Sequence, residues 1–310
     1  MPGPRSASPD QADFLTELVA AGLLVPTGVP GIYGRTAGFQ LVLDAVAELV
    51  SAAAAPEAPE QLRFPPVMAR HQLERLGYLK SFPHLAGSIF AFSGSEEEAA
   101  EQDRRASRHE DWSEFQQMTD LVMTPAACYP VYPAVAARGP LGPGGVMIDA
   151  GGSYVFRREP SLDPARLQMF HQRELVRIAE PETVRAWRDA WRERAEQLLA
   201  TLGLDVSMTL ATDPFFGRSG RMLAASQRSQ ELKFEVLGRI AGPELTALAS
   251  FNYHQDHFSS AYDIRLENGG VAHTACLGFG LERITLALIH AHGTDLASWP
   301  AQVRGALGTA

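Results

Sequence analysis

The chain has 310 residues, 45% of them hydrophobic, which suits one large domain or one with a small appendage around a sizeable core. With 36 acidic against 27 basic residues its formal net charge is −9, which argues against a broad nucleic-acid face and leaves room only for a local basic patch. Its two cysteines, Cys128 and Cys276, are too few for a disulfide framework; no apolar run approaches the ~20 residues of a membrane span, and the opening MPGPRSASPDQ lacks a secretory layout, so a cytoplasmic chain with no membrane partner is expected.

About the first ten residues are expected to be disordered. Residues 11–24 have helical spacing through Phe14, Leu15, Leu18, Val19 and Leu23, residues 28–31 predict a turn, and residues 39–54 a second amphipathic helix with Leu41, Leu43, Val46 and Val50 on its apolar side. Residues 1–60 thus read as a helical edge on a body formed by residues 61–310. Pro65-Pro66 opens a predicted helix over 67–76, a strand follows over 85–92, and the charged run 96–112 predicts a solvated helix or loop. Residues 121–133 read as a proline-fixed loop that carries Cys128.

Further on, residues 181–202 predict a helix with Val184, Trp187, Trp191, Ala195 and Leu198 inward. Arg185, Arg188 and Arg192 then share an exposed side, either a solvated row or a surface for an acidic partner. Residues 210–220 read as part of a polar segment with Arg218, Arg221 and Arg228. Residues 231–236 predict a strand with Lys233 and Glu235 on one face. Residues 248–258 predict a strand entering a loop, where Asn252, His254, Asp256 and His257 lack the helical spacing of a metal site and are expected in hydrogen-bonding or surface roles. A strand over 270–275 delivers Cys276.

Two stretches carry chemistry. In FRREPSLDPARLQMFHQRE, residues 156–174, alternation ending in Phe-Arg-Arg-Glu predicts a strand, Pro160 and Pro164 bracket a turn over 160–165, and residues 167–178 return as a second strand. In such a hairpin Arg157 and Glu159 share a face, as do Arg166, Phe170 and Glu174. The planar fork of arginine suits phosphate, Phe170 can stack on a base and Glu159 can accept from an exocyclic amine; a salt-bridged surface hairpin is the plainer alternative. In CLGFGLERITLALI, residues 276–289, Gly278 and Gly280 stand at a strand-to-helix junction where backbone can approach a ligand, and Arg283 in the first helical turn can reach a terminal phosphate.

Spaced about 110 residues apart, these stretches resemble motifs 2 and 3 of class II aminoacyl-tRNA synthetases. With the two cysteines and the strand order, residues 31–289 resemble the catalytic core of the zinc-dependent, archaeal type of seryl-tRNA synthetase, and more closely its relatives the amino acid:carrier protein ligases. Those enzymes activate glycine or alanine with ATP and pass it to the phosphopantetheine thiol of a small acidic carrier protein. The resemblance implies an α+β fold, an antiparallel β-sheet flanked by helices, with the catalytic core over 61–310 and no tRNA-binding domain. It implies that Arg157 binds the α-phosphate, Glu159 and Phe170 the adenine, Arg283 the γ-phosphate and Arg166 the outer phosphates, with Arg157 and Arg283 lowering the barrier. It further implies that Cys128, Glu174 and Cys276 converge on Zn²⁺ and leave a fourth position for the substrate amine. Two cysteines that are merely small and buried are the alternative.

Departures from the family pattern shape the remaining expectations. Seryl enzymes carry a Thr-x-Glu loop where this chain has Thr124 and then Cys128, and an Mg²⁺-binding acid where this chain has Ala249. Mg²⁺ would fall to Glu235, or mainly to ATP and water. Asn252 and Lys233 are expected at the amino acid, with Lys233 limiting the cavity to a small side chain. The helix and strand over 67–92 resemble motif 1, which implies a homodimer. The expected partners are ATP, a small amino acid and an acidic phosphopantetheinylated carrier protein, without tRNA. A tRNA ligase working with a separate RNA-binding subunit and a non-catalytic synthetase-like regulator are the alternatives.

Overall fold

The computed structural model describes residues 6–309. Residues 1–5 of the stretch expected to be disordered lie outside it, but Ser8 already caps a helix. Its Oγ accepts from the Gln11 amide at 3.3 Å, and its own amide donates to Gln11 Oε1 at 2.8 Å. That helix, Pro9–Ala20, stops short of the expected Leu24 because Gly22 turns the chain at φ +67°. Leu24–Pro26 then pairs with Tyr33–Arg35 as a small antiparallel ribbon.

The central sheet has seven strands among the described residues, numbered here in chain order: β1 (Glu60–Leu62), β2 (Val146–Phe156), β3 (Met169–Ala179), β4 (Val206–Leu210), β5 (Lys233–Arg239), β6 (Leu245–Gln255) and β7 (His273–Gly280). Their order across the sheet is β1-β2-β3-β7-β6-β5-β4, antiparallel throughout except for β1 with β2. This is an α+β fold, a mainly antiparallel sheet flanked by helices.

One face of the sheet is apolar. Leu175, Phe251, Leu277 and Phe279 pack there with Phe39, Val42 and Val46 of helix Ala37–Ala54, Trp191 and Leu199 of helix Pro181–Thr201, and Ile284 and Leu288 of helix Leu281–His292. Each such side chain contributes roughly 1.5–3 kcal/mol by leaving water. The other face carries the chemistry, and register decides what meets there. Glu174 lies opposite Gly278, Gly278 opposite Ser250, and Ser250 opposite Glu235; Cys276 lies opposite Asn252, and Asn252 opposite Lys233. Directly opposed residues share a face, so Glu174, Cys276, Asn252, Lys233 and Glu235 look out from the same side.

Several expectations are corrected. Helix Ala37–Ala54, with its short extension to Glu57, is by length and composition apolar enough to cross a membrane. In this fold its Phe39, Val42, Leu43, Val46 and Val50 are core residues, although Leu41 is exposed. Glu57 accepts from Trp187 Nε1 at 2.6 Å and Trp191 Nε1 at 2.9 Å, pinning that helix to Pro181–Thr201. The helix expected over 67–76 is a strand, Val67–Ala69, then a short helix, Arg70–Arg75, so the long helix of the motif 1 resemblance is missing. Val67–Ala69 and Ser88–Phe92 flank Gln116–Met123 in a separate three-stranded sheet, and that third strand claims the start of the expected proline loop.

Arg188 does not sit in an exposed row. It is buried, and its guanidinium donates to the Glu231 carbonyl at 2.7 Å. Residues 217–229, read as polar connection, form helix Gly217–Ser229, and a second helix, His257–Tyr262, follows β6 where a loop was expected. In the hairpin, β2 ends at Phe156 and β3 begins at Met169. Arg157, Glu159 and Arg166 therefore belong to a loop over 157–168, not to the strands.

Candidate active site

Cys128, Glu174 and Cys276 reach one point from three separate elements. Cys128 comes from the turn after Gln116–Met123, Glu174 from β3 and Cys276 from β7, and their ligand atoms all lie within 4.8 Å of one another. All three are buried, at 2–3% exposure. Burial pushes the Cys128 thiol well above its usual range, with Cys276 and Glu174 adding to the effect. A hydrogen bond from Cys128 pulls Cys276 down, but burial and the Glu174 carboxylate outweigh it, so this thiol is raised too. Burial also raises Glu174. Three acidic groups in so small a volume hold their protons or share a cation.

The donor set fits a metal ion. Two sulfurs and one carboxylate oxygen suit a tetrahedral, borderline-soft cation with one position left over. Glu174 Oε2 is buried without a hydrogen-bond partner, an acceptor that a cation would satisfy. Gly278 makes room for this arrangement: a Cβ there would stand 2.8 Å from Gln172 Nε2 and 3.1 Å from Glu174 Oε1. The glycine serves the carboxylate beside it and not only ligand approach. Asn252 Nδ2 donates to Cys276 Sγ at 3.6 Å.

The triad opens into a cavity of about 340 Å³ that is also lined by Arg157, Lys233, Asn252, Asp213, Gln172 and His254. Three of these, Gln172, His254 and Asp213, were not expected at the site. His254, assigned a general hydrogen-bonding or surface role, has Nε2 at 3.5 Å from Cys276 Sγ and Nδ1 at 3.1 Å from Thr274 Oγ1. Burial and neighbouring His257 lower its pKa to about 3, so the imidazole is neutral. Two-residue spacing from Asn252 on one strand was the signal that could have placed it there. Asp213 holds Lys233 Nζ at 2.5 Å, and Glu235 completes the cluster at 3.2 Å. Burial opposes both charges, but their mutual attraction prevails, lowering Asp213 and raising Lys233. No local pattern marks Asp213; a strand pairing across β5 brings it in.

Glu159, Arg166, Phe170, Glu235 and Arg283 lie outside that cavity lining, with Glu235 next to it through Lys233 and Phe170 through Arg157. The Arg157 guanidinium carbon lies 5.9 Å from the centre of the Phe170 ring. Arg166 reaches Glu159 at 3.4 Å and Asp163 at 3.5 Å. Arg283 donates to the Ala165 carbonyl at 2.9 Å and the Ala247 carbonyl at 3.0 Å, tying the 157–168 loop to β6. Burial, then Arg157 and Arg166, lower its pKa to about 10. Glu235 and Glu159 partly offset the crowding of these three cations. Ala249, where an acid was missed, is a core residue opposite Val236 and offers no ligand.

No family model matches the chain. Over 309 residues it is 45% identical to amino acid:acyl-carrier-protein ligase 1 of Bradyrhizobium diazoefficiens, covering 99% of this chain and 94% of that one. A type-2 serine–tRNA ligase of Methanopyrus kandleri is 30% identical over 146 residues, 44% of this chain and 27% of the relative. The structure of M. kandleri seryl-tRNA synthetase, solved with A. aeolicus tRNASec, superposes with a TM-score of 0.79 at 20% identity, over 99% of this chain and 62% of that one, which establishes the class II synthetase fold. Near-complete coverage at that first identity settles descent, and the chain belongs to the amino acid:acyl-carrier-protein ligase family.

Proposed function

We propose that this enzyme condenses a small amino acid, glycine or alanine, with ATP and transfers the resulting aminoacyl group to the phosphopantetheine thiol of an acidic carrier protein. The observation that carries this reading is the meeting of Cys128, Glu174 and Cys276 within 4.8 Å in a cavity that Arg157 also lines. Zn²⁺ held by the three would supply a Lewis-acid position selective for an unprotonated amine. Arg157 then orients the α-phosphate, Phe170 and Glu159 receive the adenine, and Arg166 and Arg283 neutralise the outer phosphates. Mg²⁺ is carried chiefly by ATP and water, with Glu235 the nearest candidate carboxylate. The substrate carboxylate attacks the α-phosphorus and pyrophosphate departs; the carrier's sulfur, its proton lost to solvent, then attacks the carbonyl carbon and AMP departs. Asn252 and the Lys233–Asp213 pair bound the amino-acid end and favour a short side chain.

Helix Gly217–Ser229 borders the cavity through Leu223 and Gln227. It exposes Met222 together with Arg218, Arg221 and Arg228, an apolar and basic surface that suits an acidic carrier. The enzyme is proposed to work as a homodimer without tRNA. ATP–pyrophosphate exchange with each of the twenty amino acids, before and after chelation, tests the first half-reaction. Exchange with glycine or alanine that chelation abolishes is expected; no exchange with either in zinc-replete protein overturns the reading. Offering a phosphopantetheinylated carrier against bulk tRNA tests the acceptor.

A further inference from the structure

The N-terminal stretch, read from sequence as an edge, touches the candidate nucleotide half of the site at three separate points. Gln11 Nε2 donates to Asp163 Oδ2 at 3.1 Å, and Asp163 Oδ1 accepts from the Ala165 amide at 2.9 Å. Ala165 is the residue whose carbonyl Arg283 holds. At the next point, the Gln168 amide donates to the Gly31 carbonyl at 2.8 Å and its side chain to the Pro30 carbonyl at 2.9 Å, while the Gln168 carbonyl accepts from the Arg157 amide at 2.9 Å. Gly31 has φ +77°, and a Cβ there would stand 3.1 Å from the Arg166 carbonyl. The turn over 28–31 therefore fits against the loop that carries Arg157 and Arg166.

The third point is a buried carboxylate. Arg35 donates to Glu282 Oε1 at 2.6 Å and to the Tyr154 hydroxyl. Glu282 is 2% exposed and also accepts from the His171 amide, at 2.9 Å and 2.8 Å to its two oxygens. His171 follows Phe170, and Glu282 precedes Arg283. The Glu282 carboxylate thus joins the strand bearing the proposed adenine plate to the helix bearing the proposed phosphate cation, and Arg35 of the N-terminal ribbon pairs with it. Asp163, Gln168 and Glu282 are all buried polar groups whose partners include this stretch. Surface decoration needs no such sealed contacts.

We infer that residues 11–35 are a brace of the nucleotide half-site, with Gln11, Gly31 and Arg35 as positioning residues for the 157–168 loop and Arg283. The inference rests on the reading that Arg157, Phe170 and Arg283 bind ATP. Misplacing such groups by about an ångström costs on the order of 100-fold in rate.

The test is ATP–pyrophosphate exchange by the full chain, with KM for ATP and for the amino acid measured separately in Gln11→Ala, Gly31→Ala, Arg35→Lys and Arg157→Ala. Lysine keeps the charge at position 35 but cannot serve Glu282 and Tyr154 together. Gln11→Ala removes one partly buried contact and is the variant that keeps the fold safest. KM for ATP is expected to rise about 10-fold or more in the three brace variants, with amino-acid KM and bound-metal content near those of the parent. Loss of thermal stability with an unchanged ATP KM in all three would overturn the brace, because a purely structural role moves the first and not the second. Should Arg157→Ala leave ATP use intact, the assignment of the nucleotide site itself is wrong, an outcome distinct from failure of the brace.

Discussion

Cys276 cannot be replaced by its nearest isostere without changing the chemistry. A serine keeps the branching of the side chain, but its oxygen is smaller and harder than sulfur and does not ionise at neutral pH, so Cys276→Ser is expected to weaken metal retention at least about tenfold. Inductively coupled plasma analysis after dialysis checks this; full retention would place the ion elsewhere. The Asp213–Lys233 pair makes a different prediction. Asp213 has its pKa lowered on folding, so the stability it contributes is present above the ordinary carboxylate value near 4 and is lost only as pH falls through the still lower folded value. Lys233 has its pKa raised, so its share is present below the ordinary lysine value and is lost as pH climbs through the folded one. Asp213→Asn is expected to cost about 2–3 kcal/mol at neutral pH, less than the roughly 3–5 kcal/mol of a fully buried broken pair because Asp213 is partly solvated. Urea titration at several pH values measures it, and the deficit should shrink in strong acid, where the parent loses the same interaction.

The sheet register is what a single methyl group can disturb. Gly278→Ala would push its Cβ against Gln172 and the Glu174 carboxylate, whose side chains must shift by a few tenths of an ångström or more. We expect a folded protein with lower metal occupancy and at least about tenfold slower exchange, read by metal analysis and kinetics on the same sample. Gly145→Ala is a contrasting case. Its φ is +64° and the new Cβ would fall 2.0 Å from the Ile178 carbonyl, in the backbone where β2 begins. Nothing there is flexible, so a loss of roughly 3 kcal/mol or more in folding stability is expected, with thermal unfolding as the measurement. Helix Pro181–Thr201 makes the general point that an amphipathic stripe can be read while its polar members cannot. Trp191 and Ala195 are inward as periodicity requires, yet Arg188 is inward as well because Glu231 offers it a carbonyl.

At the scale of the whole molecule, an ion shared by three elements should couple metal to folding. Cys128, Glu174 and Cys276 span much of the chain, and a ligand present at 100 times its dissociation constant contributes about 2.7 kcal/mol to the folded state. Chelation is therefore expected to lower the unfolding midpoint by roughly 5 °C, and re-addition of Zn²⁺ to restore it. An unchanged midpoint on complete stripping would argue against a shared ion. By itself the sequence determined what depends on neighbours along the chain. That includes the helices expected over 39–54 and 181–202 and found at Ala37–Ala54 and Pro181–Thr201, the alternation that puts Lys233 with Glu235, and the residue types and spacing of the two motif stretches. It also named the sulfurs and the carboxylate. Only the tertiary structure decided that these three meet, that His254 and Asp213 stand with them, that residues 67–69 are strand instead of helix, and that residues 11–35 are built against the loop following β2. The physical reason is that these outcomes are set by register and by contacts between residues far apart in sequence. Local propensity is worth only tenths of a kcal/mol per residue against them.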